Sequence, residues 1–260
     1  MNSCVVNVVT SRPLPLVRYS QPSGRISRYS LAQARLKASL GAQRAMMWTG
    51  QLPVGCPSHQ EVPYAFKAYA MMEAAKECDL LLWADACIIV KRDLTPLWER
   101  IEREGYWISG NWWNNYHWTA DSAYPDLFPE YFHSKSVGID FVDLARAQNK
   151  KIMHILATTF GINTKSAIGK AFLDEYFRLA SQTKAFCGPW LNSNCPENTK
   201  GLGGAVGPCG PEDVRGHRHD QTAASVIAWR LGMKWTQGPE IFSYAGSETN
   251  DTILVADGSY

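Results

Sequence analysis

The run Leu80-Leu81-Leu82-Trp83-Ala84-Asp85-Ala86-Cys87-Ile88-Ile89-Val90 constrains the fold more than any other segment, because an apolar stretch without alternation is broken by a single carboxylate. A strand that wets one face alternates polar and apolar residues; one that does not is buried on both faces, as in a sheet sandwiched between helices. The run therefore predicts a central strand, with Asp85 where it surfaces. In open α/β sheets ligands bind beyond the carboxyl ends of the strands. An acid at that edge is suited to holding a cation or a ribose hydroxyl.

The flanking segments extend this pattern. Val5, Val6, Val8 and Val9 form a β-branched run ending in Thr10-Ser11-Arg12-Pro13, as a first parallel strand does when it passes into a loop. That loop, through Pro22 and Gly24, carries Arg18, Tyr19, Arg25, Arg28 and Tyr29. Ala45 to Gly50 reads as a second strand, and Pro63 opens a helix with Phe66, Tyr69, Ala70 and Ala74 on one face. Thr95-Pro96 reads as an N-cap and first turn, with Leu97 and Ile101 on one face and Gly105 as the stop. Tyr106 to Gly110 reads as a further strand. Ser166 is expected to cap a helix with Ile168, Phe172 and Tyr176 on one face. Asp220 is expected to cap the last helix, with Ala224, Ile227, Ala228 and Leu231 inward. Residues 186 to 216, rich in Gly, Pro and Asn, read as a long surface loop. Strands alternating with amphipathic helices predict an α/β fold, a mostly parallel central sheet flanked by helices. A length of 260 residues suits one domain spanning 1–260.

Composition narrows the partners. A formal net charge of +2 with 19% charged residues gives no strong field, so nucleic acid and acidic surfaces are not demanded. Ten tryptophans exceed what a core of this size needs, and flat rings suit sugar faces and nucleobases. Seven scattered cysteines without a Cys-x-x-Cys pair suit a reducing compartment and weigh against zinc. No basic leader and no bilayer-length apolar segment is found, which gives a cytoplasmic expectation. A phosphate-cradling Gly-x-x-x-x-Gly-Lys loop and a Gly-x-Ser-x-Gly turn are both missing, so nucleotide hydrolysis and serine hydrolysis lose support.

Three segments carry candidate chemistry. The tract Asn111-Trp112-Trp113-Asn114-Asn115-Tyr116-His117-Trp118 pairs flat rings with amides, a combination that holds sugars through CH faces and hydroxyls. A helix start at Asp220 aims free amides and a positive dipole end at whatever precedes it, a place for phosphate. Lys67, Arg215 and Arg218 are candidates for neutralising such a group.

The Asp85 strand resembles the Asp-x-Asp strand of sugar-nucleotide glycosyltransferases, with Cys87 where the second Asp is usual. Leu156-Ala157-Thr158-Thr159-Phe160-Gly161-Ile162-Asn163, followed by the Phe172 to Tyr176 helix, is similar to the GT-A segment that approaches the donor sugar. Gly216-His217-Arg218-His219-Asp220-Gln221-Thr222 resembles the Asp-Gln helix start near the donor sugar in several retaining members. Together these matches span roughly residues 4 to 235. The resemblance implies a single GT-A-like, Rossmann-like domain that moves a sugar from a nucleotide-diphosphate-sugar donor to an acceptor hydroxyl, with retention of configuration. It places Asp220 and Gln221 in catalysis. Asp85, Arg12, Arg18, Lys67, Phe160 and Gly161 would bind the donor, with Tyr19 beside the nucleotide. Trp112, Trp113 and Asp121 would border a glycan or other hydroxyl-bearing acceptor, with Asp126 as a second acid there.

Cofactor use stays open. A divalent cation, Mn²⁺ or Mg²⁺, accompanies the Asp-x-Asp motif, but the thiol of Cys87 is a poor ligand for a hard cation. Either Asp85 with His219 and Asp220 forms a different metal site, or basic side chains neutralise the diphosphate. The rival functions are a carbohydrate- or nucleotide-binding module with a degenerate transferase fold, and a nucleotidyltransferase.

Overall fold

The computed structural model describes residues 1–9, 28–132, 140–189, 210–211, 213–236 and 238–257. Its first half runs β1 (Ser3–Val9), α1 (Arg28–Leu40), β2 (Ala45–Thr49), α2 (Ala65–Ala74), β3 (Leu80–Ala84), β4 (Ile88–Val90), α3 (Thr95–Glu104), β5 (Tyr106–Trp107) and β6 (Gly110–Asn114). After 3-10 turns at Asn115–Trp118 and Asp121–Ala123 come α4 (Tyr124–Leu127), α5 (Pro129–Phe132), α6 (Phe141–Asn149), β7 (Met153–Ile155), β8 (Thr159–Asn163) and α7 (Ala167–Gln182). The last elements are α8 (His219–Arg230), β9 (Phe242–Tyr244) and β10 (Leu254–Ala256). The loop carrying Arg12, Arg18, Tyr19 and Arg25 lies outside the described residues, as does most of the expected 186–216 loop.

The leucine-rich strand is central, as its composition requires. The main sheet is ordered β2-β1-β3-β8-β5. β1 pairs in parallel with β2 and β3, while β8 runs antiparallel to β3 and β5, so every strand but β8 points one way. Neighbouring residues of each strand feed opposite layers. Cys4, Val6, Leu81, Trp83, Phe160 and Ile162 face a core shared with α2, α7 and α8. Val5, Leu80, Leu82 and Ala84 face a second core built with α1, α3 and β10. Each leucine so buried contributes about 1.5–3 kcal/mol. A small sheet, β4-β10-β9, closes the second layer.

Helix boundaries follow local chemistry, with three shifts from expectation, the first at α2, which begins at Ala65 with Tyr64 as its cap, so Pro63 precedes the helix and does not open it. Ser166 caps α7 as expected, its Oγ accepting from Gly169 N at 3.0 Å, and Gly105 ends α3 in the left-handed region at φ 87°. Thr95, however, is the first helical residue: Leu94 is the cap, and Asp93 Oδ1 accepts from Thr95 N and Oγ1. Likewise Asp220 is not the cap of α8. That position is Arg218, and Asp220 lies in the first turn, where it is free to turn inward. On α2 the apolar face differs too: Ala65, Ala68, Ala70, Met71 and Ala74 are buried, Lys67 among them, while Phe66 and Tyr69 are half-buried.

The expected strand from Tyr106 to Gly110 divides. Pairing with β8 ends at Trp107, and the chain pairs again from Gly110 as β6, against β7. The tryptophan tract is therefore an irregular strand followed by a 3-10 turn. A buried polar cluster fastens that turn: Asn115 Nδ2 donates to Asn149 Oδ1 and to Thr222 O, and His154 Nδ1 donates to Asn115 Oδ1. It ties the tract to α6, β7 and α8.

Candidate active site

β3 delivers Asp85 one residue beyond its last paired position, and the following turn holds it there. Asp85 N donates to Thr158 O at 2.8 Å, and Ile88 N donates to Asp85 O at 2.9 Å. Beneath the turn, buried Asn7 donates to Ala84 O at 2.6 Å, and Trp83 Nε1 donates to Asp85 Oδ1 at 2.8 Å. An acid fixed this way presents its remaining lone pairs in one direction.

Lys67 comes up from α2 between this acid and a second one. Its Nζ lies 3.1 Å from Asp85 Oδ1 and 3.0 Å from Asp220 Oδ2, and donates to Ala157 O at 2.8 Å. Those three contacts match the three donors of an ammonium group. The side chains of Lys67 and Asp220 are 4% and 5% exposed, against 31% for Asp85, so Asp85 is the acid a ligand reaches. Burial works against the ammonium, but Asp220 and Asp85 outweigh it and hold Lys67 above the ordinary lysine range. Burial raises both carboxyls above the usual carboxylate range, with Lys67 opposing it. A lone carboxylate as buried as Asp220 would be costly; Lys67 compensates it and pairs with the more exposed Asp85 as well.

These residues line a polar cavity of about 130 Å³ together with Tyr64, Ala157, Thr158, Arg218 and Gln221. Thr158, Arg218 and Gln221 also line a larger cavity of about 660 Å³, walled by Trp112, Trp113, Phe242 and Tyr244. The two form one cleft. Gln221 is pinned at the junction, its Nε2 donating to Ile155 O at 2.6 Å.

Arg218 is the second cation of the cleft, and it is held differently from Lys67. Its guanidinium carbon lies 4.4 Å from the Trp118 ring centroid and 5.1 Å from that of Trp113, two rings that stack on each other at 5.0 Å. No carboxylate among the described residues pairs with it, and its buried Nε meets no acceptor among them. Burial accordingly pushes its guanidinium below the ordinary range. Aromatic faces keep this charge in place without neutralising it.

Backbone strain gathers around the cleft. Tyr64, Trp112 and His219 are the non-glycine residues with positive φ among the described residues, at 61°, 63° and 47°. Tyr64 lines the small cavity and Trp112 the large one, while His219 immediately precedes Asp220. At Trp112 the cause is local: Asn111 Oδ1 accepts from Trp113 N at 3.1 Å, closing a turn over the ring that projects 70% exposed.

The structure thus joins Asp85, Lys67, Asp220, Gln221, Trp112 and Trp113 in one cleft, and leaves other expected residues out of it. Phe160 is wholly buried and packs on Phe172 and Tyr176, so it meets core and not donor. Gly161 faces Ile101, where an added Cβ would come within 2.2 Å of Cδ1; close packing, not ligand approach, explains the glycine. Asp121 lines neither cavity, because Arg146 from α6 takes both its carboxylate oxygens. Asp126 accepts from Lys184 N on the exposed surface. His219 is buried behind the cavity wall, with its Nδ1 bonded to Phe186 O at 2.9 Å and its ring against Tyr64 and His217. Arg215 is exposed and lines neither cavity. Residues that sequence reasoning passed over also belong to the cleft, among them Phe242, Tyr244 and Tyr64, the last of which follows Pro63 as the cap of α2 and carries no local signal.

A divalent cation does not fit the residues present. Lys67 lies against one oxygen of each acid, and Cys87 stands where the next ligand is expected. Burial raises its thiol to about 12, so it is no thiolate. Asp257, whose amide donates to Cys87 O, is itself held by Arg35 at 2.6 Å. Among the described residues no group of three His, Cys, Asp or Glu is placed to hold a metal.

No family model and no curated protein matches the chain. Among solved structures it is similar to a glycosyltransferase involved in the glycosylation of the major capsid of PBCV-1, at 10% identity over 100% of this chain and 94% of that one, with a TM-score of 0.44. It is also similar to the bifunctional glycosyltransferase WbbM, at 10% identity over 91% of this chain but only 39% of that one, with a TM-score of 0.43. A third, mouse xyloside xylosyltransferase 1, is 10% identical over 89% of this chain and 73% of that one, with a TM-score of 0.36. At this identity and overlap the likenesses assign no role to any residue. No helix among the described residues is long and apolar enough to cross a membrane.

Proposed function

We propose that this chain transfers a sugar from a nucleoside-diphosphate sugar to a hydroxyl of a glycan or other acceptor. The observation that carries this reading is the joined cleft: two acids bridged by Lys67 at its floor, Arg218 at the junction with no carboxylate partner among the described residues, and an aromatic chamber beyond. In such a transfer the bond from anomeric carbon to diphosphate oxygen breaks, and the electron pair leaves with the diphosphate. The acceptor oxygen bonds to the carbon and passes its proton to the departing diphosphate oxygen. Positioning and charge are what the protein contributes. Arg218 meets the charge of the departing diphosphate, and Asp85, the more exposed acid, faces the ribose hydroxyls. Asp220 and Gln221 border the donor sugar, while Trp112 and Trp113 take the CH face of the acceptor. The Asp220-Gln221 resemblance assigns retention of configuration, which proton NMR of the fresh product tests.

The deciding experiment measures nucleoside diphosphate released from a panel of sugar nucleotides, without acceptor and then with candidate glycans. Asp85→Asn and Asp220→Asn are expected to lower release by about 100-fold or more, since each removes a fixed charge from the reacting centre. A chain that binds sugar nucleotides and releases nothing with any acceptor is a binding module. One that instead makes a sugar nucleotide from a nucleoside triphosphate and a sugar phosphate is a nucleotidyltransferase.

A further inference from the structure

The two acids of the cleft already share a cation that belongs to the chain. Lys67 Nζ sits within 3.1 Å of one oxygen from each, nearly sealed from solvent. The same oxygens have second partners: Trp83 Nε1 on Asp85 Oδ1, and Tyr176 OH at 3.4 Å from Asp220 Oδ2. A hard divalent ion needs about six oxygen ligands at close range. Entering here, it would have to expel the ammonium group or accept a like charge beside it, and the thiol at position 87 offers nothing in return.

Resting on the transferase reading above, we infer that Lys67 is the resident counter-ion of Asp85 and Asp220 and that Arg218 receives the diphosphate, so that nucleoside diphosphates bind this cleft without a divalent cation. The division of labour follows from the contacts. Lys67 spends all its donors inside the protein, whereas Arg218 lines both cavities with no carboxylate partner among the described residues. A planar guanidinium offers paired donors to phosphate oxygens in a way that a buried ammonium does not. Lys67 on this account is a positioning residue.

The test titrates the full chain with uridine, guanosine, adenosine and cytidine diphosphates by calorimetry, once in excess EDTA and once in Mn²⁺. The expected result is one preferred nucleotide whose Kd agrees between the two conditions within about threefold, and Arg218→Ala weakening it at least about tenfold in both. Binding that needs Mn²⁺, or that survives Arg218→Ala unchanged, overturns the inference while leaving sugar transfer standing. No binding of any nucleotide in either condition overturns both. A second arm uses MnCl₂ alone and reads thermal stability. Wild type is expected to show no shift, and Lys67→Ala, with both acids freed, to gain one or to fold only with Mn²⁺. A wild type stabilised by Mn²⁺ as strongly as the variant overturns the inference without reference to any nucleotide.

Discussion

Trp112 shows most directly how single residues serve the cleft. A large β-unbranched side chain at φ 63° costs about 1 kcal/mol relative to an ordinary conformation, and it is spent on a ring left 70% exposed at the cavity rim. Trp112→Gly relieves the strain and removes the ring. Chemical denaturation should find the variant as stable as wild type or up to about 1 kcal/mol more so, while acceptor affinity falls. A destabilised variant with unchanged acceptor affinity would make the ring structural. Lys67 teaches the opposite lesson about what a sequence discloses. Its apolar neighbours on α2 are visible in the chain, but its partners stand at positions 85, 157 and 220. No local pattern encodes a side chain satisfied by three distant segments, so Lys67 reads as one basic candidate among several. Asp85 was legible because it interrupts its own strand.

Among the elements, β8 marks where resemblance and packing part. Its Gly161 sits opposite Leu82 and Trp107 in the sheet, under the Ile101 side chain of α3. Gly161→Ala should therefore destabilise by about 1–3 kcal/mol through overpacking, read by urea unfolding, with nucleotide affinity of the folded fraction unchanged. A variant of normal stability that loses the donor would restore Gly161 to the site. Strands and caps driven by composition were readable: the β-branched run of β1, the leucines of β3, Ser166 and Gly105. The displaced cap of α8 was not, because the chain enters the helix two residues early, through a left-handed turn at His219, and Asp220 faces the core instead of solvent. Sequence offers Asp as a good cap; the buried ammonium offers it a better partner.

For the molecule as a whole, the buried histidines set the acid limit. His217 Nε2 donates to Ala185 O, and its Nδ1 accepts from Ala120 N, so a second ring proton would confront an amide proton. Burial, then neighbouring His219, pushes His217 down to about 3; burial, then Arg218, does the same to His154. Both groups thus have folded values below the ordinary 6.5. Their contribution is whole above that value and drains away as pH falls towards 3, with the unfolded chain taking up protons that the folded one refuses. At pH 5 the loss is about 2 kcal/mol per histidine. Urea midpoints should fall from pH 7 to pH 5, and His154→Gln should remove its own share of that slope. The raised acids Asp85 and Asp220 act in the opposite sense, gaining as pH falls, so the histidine variant is needed to isolate the effect; an unaltered slope would refute the assignment.

Thr158, Arg218 and Gln221 are a party wall between the two chambers. A guest settled on one side redraws the surface that a visitor to the other side meets. Thermodynamic reciprocity then fixes the relation: whatever factor the first molecule applies to the second's affinity, the second returns to the first. On the proposed transferase reading, the affinities for donor and acceptor should therefore depend on each other through those three side chains.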